Sequence, residues 1–225
     1  MTNLGKKLLL LFLRYQKSGE SLFEATEATF FESCLLLDAD SDLEKRMRIL
    51  AKRFVLGKAI GQSGRPFAKG PALLCLGWFG TSVRELVTLF PDEDTTRLPV
   101  PVARAWLAVV ASMDPKHLPD IQKKLVGHPS DDVARLSRFL DDLLAGRLEK
   151  VDRYKNTRTR WPLQGKFFDA RGWIKMELVA HSKSKTLRQR ARSDLQDFAK
   201  LARTRQEKRV LARIHRALRS RAAVR

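Results

Sequence analysis

Residues 185–219 read KTLRQRARSDLQDFAKLARTRQEKRVLARIHRALR, and apolar side chains recur through this stretch at helical spacing. Neither glycine nor proline occurs between Trp173 and the end of the chain. The apolar positions form two stripes, the first made of Leu187, Ala191, Leu195, Phe198 and Ala202, the second of Leu211, Ile214, Leu218 and Ala222. Because such a period marks one face of an α-helix, the stretch predicts helix throughout. The segment 204–209 lacks apolar residues, so we expect two tandem helices or one long bent helix.

Almost all of the net charge lies around this stretch. The 225-residue chain carries a formal net charge of +19. Residues 146–225 hold 24 lysines and arginines against 7 aspartates and glutamates, whereas residues 1–145 hold 20 against 18. Clustered positive charge indicates a nucleic-acid partner first and an anionic membrane surface second. We therefore expect a near-neutral helical body, residues 1–146, and a basic C-terminal module, residues 147–225.

The arginines of the module fall into rows. Steps of four, four and three place four of them on one helical face, and two more share a face one helix earlier. Guanidinium groups on a rigid helix offer forked donors to phosphate oxygens. Only three acidic residues follow Glu177, so pairing within the helices cannot neutralise the rows. With the polar basic segment 155–160, the candidate contacts are Lys155, Arg158, Arg160, Arg188, Arg192, Arg205, Arg209, Arg213 and Arg216. A solvated face of an amphipathic helix is the alternative.

Four large aromatic residues precede the predicted helices: Trp161, Phe167, Phe168 and Trp173. They could stack on bases, as in proteins that bind single strands. We favour a small core that docks the module on the body, because side chains of this size need burial. The segment Trp173–Val179 alternates between apolar and polar residues, which predicts a short β-strand.

The body reads as a series of helices. Capping boxes begin at Ser21, Ser41 and Ser82, each followed three residues later by a glutamate. Periodic stripes comprise Leu43, Met47, Leu50 and Phe54; Val102, Trp106, Val109 and Met113; Leu118, Ile121 and Leu125; and Val133, Leu136, Leu140 and Leu143. Gly146 follows the last stripe as a C-terminal stop. The pattern predicts an all-α fold of stacked helical hairpins.

A short motif recurs in the body at a shift of 31 residues. Val102-Ala-Arg-Ala-Trp106 and Asp131-Asp-Val-Ala-Arg-Leu136 share Val-Ala-Arg, and the same shift back reaches the helix near Pro71. Over about residues 71–146 the chain resembles HEAT- or armadillo-like helical repeats. The resemblance implies stacked helix pairs that hold a protein partner. An irregular helical domain is the alternative.

Residue patterns for chemistry are weak. The glycine-rich segment 57–70 lacks the Gly-Lys-Ser/Thr of a phosphate-binding loop, and the aspartates at 38–42 lack the glycine and glutamate of a calcium loop. The four histidines are scattered, and Cys34 and Cys75 lie in apolar runs typical of buried free thiols. We predict no catalytic residue, metal or cofactor.

No run of apolar residues approaches the roughly 18 that a membrane span needs, so we expect a cytoplasmic protein in a reducing compartment.

The sequence thus favours a non-catalytic nucleic-acid-binding accessory protein that contacts phosphates through its C-terminal arginine rows. RNA is slightly favoured over DNA, because no helix-turn-helix, zinc finger or homeodomain element is recognisable. The alternative is a protein-interaction scaffold subunit whose basic tail docks on an acidic partner.

Overall fold

The computed structural model of the chain describes residues 41–56, 66–90, 94–148, 172–202 and 204–220. These residues form nine α-helices and two short 310 helices, Thr95–Arg97 and Pro115–His117, with no β-strand among them. The α-helices are α1 (Ser41–Val55), α2 (Pro66–Trp78), α3 (Val83–Val87), α4 (Val100–Met113), α5 (Leu118–Lys124), α6 (Asp131–Ala145), α7 (Trp173–His181), α8 (Lys185–Leu201) and α9 (Arg205–Ser220). The predicted all-α class is confirmed.

Several predicted features lie outside the described residues. They include the capping box at Ser21, Cys34, the first two aspartates of the segment 38–42, Ala222 of the second apolar stripe, the aromatic residues Trp161, Phe167 and Phe168, and the candidate contacts Lys155, Arg158 and Arg160. The remaining aromatic of the cluster, Trp173, begins α7.

Three helices, α2, α4 and α7, form the centre of the fold. The buried residues are 70–79, which belong to α2 and the residue after it, ten residues of α4, and every residue of α7 from Trp173 to Ala180. The central helix α4 packs against α2, α6 and α7, while α7 also contacts α8 and α9. Helices buried all round carry apolar residues on every side, which explains why the buried surface of α4 extends beyond its predicted single stripe.

The strand predicted at Trp173–Val179 is wrong, because this segment is the helix α7. The apparent alternation came from two charged residues, Lys175 and Glu177, set between apolar neighbours. Both side chains are buried, at 1% and 2% exposure, so the polar positions do not mark a solvent face. Period-two patterns predict strands only when polar residues face water.

The outer helices follow their predicted stripes closely. Val133, Leu136, Leu140 and Leu143 of α6 are all buried, as are Leu118, Ile121 and Leu125 around α5. In α1, Met47 and Phe54 are buried, but Leu50 is 39% exposed because Ala51 takes the inward position. The stripe predicted for α1 is therefore wrong at Leu50.

The module shares its core with the body. Buried side chains from α1 to α9 form one continuous cluster that crosses residue 146. Trp173 packs against Trp78 of α2 with ring centroids 5.5 Å apart. For Trp173, the predicted docking of the module on the body is confirmed.

The junction after α6 ties the module to the body. Gly146 ends α6 in the left-handed conformation, at φ 74°. Ser182 Oγ donates to the Leu143 carbonyl at 2.6 Å, and the Lys183 amide donates to the Leu144 carbonyl at 3.0 Å. The segment after α7 thus supplies two donors to the last turn of α6, where the Leu143 carbonyl also accepts from the Gly146 amide.

Long and short helices alternate across the body, with α2, α4 and α6 separated by the short α3 and α5. Each long helix packs on the next, since α4 contacts both α2 and α6. The resemblance to HEAT- or armadillo-like repeats stays a prediction.

Candidate nucleic-acid interface

The basic stretch forms two separate helices. Thr204 and Glu207 build a reciprocal capping box at the start of α9: the Glu207 amide donates to Thr204 Oγ1, and the Thr204 amide donates to the Glu207 carboxylate, each at 3.1 Å. The Thr-x-x-Glu pattern at residues 204–207 is the sequence signal that indicates this helix boundary. Of the two alternatives, tandem helices are correct.

Helix α9 has one buried side and one basic side. The buried side is made of Gln206, Glu207, Val210, Leu211, Ile214, Ala217 and Leu218. On the opposite side, Arg205, Lys208, Arg216 and Arg219 are exposed, and we call these four residues the basic face. From Arg205 to Arg219 the basic face extends about 21 Å at 1.5 Å per residue.

The basic face carries no acidic residue. The single acidic residue of α9, Glu207, lies on the buried side and caps the helix. Within the described residues, no carboxylate pairs with Lys208, Arg216 or Arg219. These three side chains therefore present positive charge that the acidic residue of the helix leaves uncompensated.

Arg213, a predicted phosphate contact, instead points into the fold. Its Nε and Nη2 donate to the Glu177 carboxylate at 2.7 and 3.3 Å, and its Nη1 donates to the Gly77 carbonyl at 3.0 Å. Its guanidinium carbon lies 5.5 Å from the centroid of the Trp173 ring. Only 21% of the side chain is exposed. Arg213 thus joins α9 to α2 and α7 and has few donors left for a phosphate.

Glu177 is the buried acidic partner of Arg213. Burial raises the pKa of its carboxyl above the ordinary value, and the charge of Arg213, with hydrogen bonds from Arg213 and Ser112, offsets part of that rise. The buried carboxylate depends on Arg213, because an uncompensated charge in the core is costly.

A second side chain of α9 binds the end of the same body helix. The Gln206 amide donates to the Trp78 carbonyl, one residue after the Gly77 carbonyl that Arg213 contacts. These carbonyls belong to the last turn of α2, where the helix dipole is negative and favours a positive side chain. Helix α9 therefore caps α2 while its basic face points away.

Arg209 lies at the edge of the basic face. Its Nη1 forms an ion pair with Glu44 of α1 and also donates to the Gln206 side chain at 3.2 Å. The Arg209 side chain remains 42% exposed, whereas that of Glu44 is 7% exposed. Arg209 contributes less uncompensated charge than Lys208, Arg216 and Arg219, because Glu44 compensates part of it.

The two candidates on α8 also differ. Nη1 of Arg188 donates to the carbonyls of Ser182 and Lys183 at 2.7 and 2.8 Å, so this side chain holds the turn before α8. Arg192 is exposed, and its Nη2 lies 3.4 Å from the Leu218 carbonyl near the end of α9. Arg192 is thus an exposed cation of α8 that lies beside the last turn of α9.

Helical geometry explains why the predicted row divides. Each step of four residues advances about 40° around the helix axis, since 3.6 residues complete one turn. Two such steps bring Arg213 about 80° from Arg205 and onto the border of the buried side. Lys208 and Arg219 belong to the basic face but were absent from the predicted set. The apolar positions 210, 211, 214 and 218 mark the buried side of the helix. The centre of the basic face lies on the side opposite to them.

The described residues contain no group of three or more His, Cys, Asp or Glu side chains that could hold a metal ion. In the same part of the chain, no helix combines the length and apolarity needed to cross a membrane. Comparisons with protein-family models, curated proteins and solved structures find no match to this chain.

Proposed function

We propose that this chain is a non-catalytic nucleic-acid-binding protein that holds a phosphate backbone along the basic face of α9. The observation that carries the proposal is the division of charge on α9. Its acidic residue and Arg213 are used internally, while Arg205, Lys208, Arg216 and Arg219 face solvent on one side. Arg192 of α8 adds an exposed cation beside the last turn of α9.

The basic face suits a linear polyanion better than a compact one. Its four cations are spread over about 21 Å of a straight helix, a length that covers several successive phosphates. Guanidinium groups bind phosphate oxygens through paired donors, and an ammonium group adds a point charge. Contacts of this kind position a backbone without reading bases, so binding is weakly sequence-specific.

A membrane surface fits the basic face less well. Insertion into a membrane surface needs apolar side chains beside the cations, and the residue between the arginines on this face is Ala212. An acidic protein is the competing partner. In that case the chain would be a scaffold whose basic tail docks on the acidic protein.

RNA remains slightly favoured over DNA, because the sequence contains no recognisable DNA-reading motif. The body of the protein then serves as an accessory subunit that holds a protein partner.

A pair of matched variants tests the proposal. The first variant replaces the basic face with glutamine at Arg205, Lys208, Arg216 and Arg219. The control replaces four exposed cations of the body, Arg84, Arg97, Lys123 and Arg138, so that the net charge falls equally. We expect the first variant to lose most of its affinity for single-stranded RNA and duplex DNA, and the control to retain most of it. Equal losses in both variants would indicate attraction to net charge alone and contradict the proposal.

A further inference from the structure

A cleft opens between α5 and α6 on the body of the protein. Its volume is about 440 Å³. Ligand sites in proteins typically measure about 300–1,000 Å³, so the cleft is large enough to hold a ligand. Three buried apolar side chains, Leu107 of α4, Leu125 and Val133, form its floor. Val126 lies at its mouth and is 72% exposed, more than any other large hydrophobic residue in the described part of the chain.

Two hydrogen bonds join the helices on either side of the cleft. The side-chain amide of Gln122, near the end of α5, donates to Ser137 Oγ and to Asp141 Oδ2 of α6, each at 2.9 Å. Ser137 and Asp141 are four residues apart and therefore lie on the same side of α6. Because these bonds tie α5 to α6, the cleft between them is a preformed feature of the fold.

Two cations line the cleft, one from each helix. Lys123 lies three residues before Val126, and Arg138 lies four residues after the exposed Ala134, so each cation is close to an exposed apolar residue. Both cations are exposed, and no carboxylate in the described part of the chain forms an ion pair with either of them. Asp141 is the one acidic side chain that lines the cleft. The cleft therefore has an apolar floor and a net positive charge.

We propose that this cleft binds a short acidic segment of a partner protein. An apolar side chain of that segment packs on the floor beside Val126, and a neighbouring aspartate or glutamate pairs with Lys123 or Arg138. The inference rests on the part of the proposed function that gives the body a protein partner, and it names the site and the chemistry of that partner. It does not involve the basic face of α9, so nucleic-acid binding and this interaction can fail separately.

Shape and charge favour this occupant over others. Sites for small molecules bury most of the ligand, whereas this cleft is open to solvent and suits a side chain whose backbone stays outside. Two copies of the chain docked through the same cleft would bring their cations together. Phosphates gain nothing from an apolar floor. A cleft of this size buries less than the roughly 1,200 Å² of a stable interface, so we expect weak, transient binding.

The test uses a displayed library of random short peptides, selected on the full-length protein and counter-selected on Ala134→Trp. The tryptophan fills the cleft from an exposed position, and Ala199→Trp is the matched control at an exposed alanine of α8. We expect the enriched peptides to combine a large apolar residue with a neighbouring aspartate or glutamate. In fluorescence anisotropy, one enriched peptide should bind Ala134→Trp roughly ten-fold more weakly, because its apolar side chain no longer finds a site. It should bind Ala199→Trp as it binds the wild type.

A second variant tests the charges and leaves the cleft open. Lys123→Gln combined with Arg138→Gln should weaken binding of the same peptide roughly three- to ten-fold at low salt, because exposed ion pairs each contribute modestly. Raising the salt concentration should remove the difference between this variant and the wild type, since salt screens exposed charges.

Four results would overturn the proposal. The first is no enrichment on the wild type over Ala134→Trp, with circular dichroism showing both equally helical. The second is enrichment of peptides without acidic residues. The third is unchanged peptide affinity in the glutamine double variant at low salt. The fourth is binding to single-stranded RNA that Ala134→Trp loses and Ala199→Trp retains, because the occupant of the cleft would then be nucleic acid.

Discussion

Arg213 of α9 and Glu177 of α7 form a bidentate ion pair inside the fold, with Nε–Oε1 and Nη2–Oε2 distances of 2.7 and 3.3 Å. The pair joins two helices of the basic module at the point where Arg213 also reaches the end of α2. Arg213 therefore holds α9 in place, whereas Arg205, Arg216 and Arg219 of the basic face are exposed.

Replacing Arg213 with alanine should destabilise the protein by about 3–5 kcal/mol, because Glu177 would be left buried without its partner and would either carry an uncompensated charge or have to bind a proton. Arg216→Ala is the matched control three residues away, on the exposed side, and should change the free energy of unfolding by less than about 0.5 kcal/mol. Urea unfolding measures both. Similar values for the two variants would mean that Arg213 does not anchor α9.

Glu177→Gln should change how stability depends on pH. The pKa of Glu177 is raised in the folded state, chiefly by burial, so the folded protein binds a proton more tightly than the unfolded chain. The contribution of Glu177 is therefore fully present below the unfolded value near 4.5 and is lost as pH rises through the folded pKa. The free energy of unfolding should fall more steeply over this range in the wild type than in Glu177→Gln. Parallel curves from urea unfolding at a series of pH values would contradict this expectation, whatever their constant offset.

Gly146→Ala should be more destabilising than Gly80→Ala. Both glycines have left-handed backbones, at φ 74° and 75°, and an alanine there costs about 1–2 kcal/mol. A Cβ at position 80 meets no atom within 4 Å, whereas one at position 146 would lie 2.7 Å from the Ser184 amide nitrogen. Crowding adds roughly 1–3 kcal/mol at position 146, because backbone must shift. Equal unfolding free energies for the two variants would show that the junction between α6 and the module is loosely packed.

Thr204→Ala should weaken the start of α9 by about 1 kcal/mol, because the Glu207 amide loses its acceptor. Thr204→Ser keeps a hydroxyl and should behave as the wild type does. Amide hydrogen exchange at Glu207 gives a local readout, and we expect faster exchange in Thr204→Ala alone. Unchanged protection would mean that the cap does not hold the end of the helix.

The sequence predicted those helices that have one apolar side. The stripe of α6 and its glycine stop followed directly from spacing, because α6 lies at the surface. Helix α7 could not be recognised in this way, since its two charged residues are buried along with its apolar ones. Burial of Glu177 depends on Arg213, which lies 36 residues later, and no local pattern carries that relationship.

The candidate interface was predictable as a region but not residue by residue. The excess of basic residues after residue 146 predicted that the C-terminal helices bind a polyanion, and the spacing of their arginines grouped them into rows. Spacing alone does not reveal that Arg209 meets Glu44 of a distant helix, or that Arg213 meets Glu177. The helix face opposite the apolar stripe was the better guide, because it includes Lys208 and Arg219.

The most direct test of the proposed function is the salt dependence of nucleic-acid binding by the full-length protein. The observed affinity should fall linearly on a log–log plot, with a slope of about −0.9 per bound phosphate for duplex DNA and about −0.7 for a single strand. Glutamine at the four basic-face positions should flatten that slope by the same amount for each phosphate that the variant no longer binds, while the four-residue body control should leave it nearly unchanged. A slope that stays the same in the basic-face variant would contradict the proposed function, because the phosphates would then be held elsewhere.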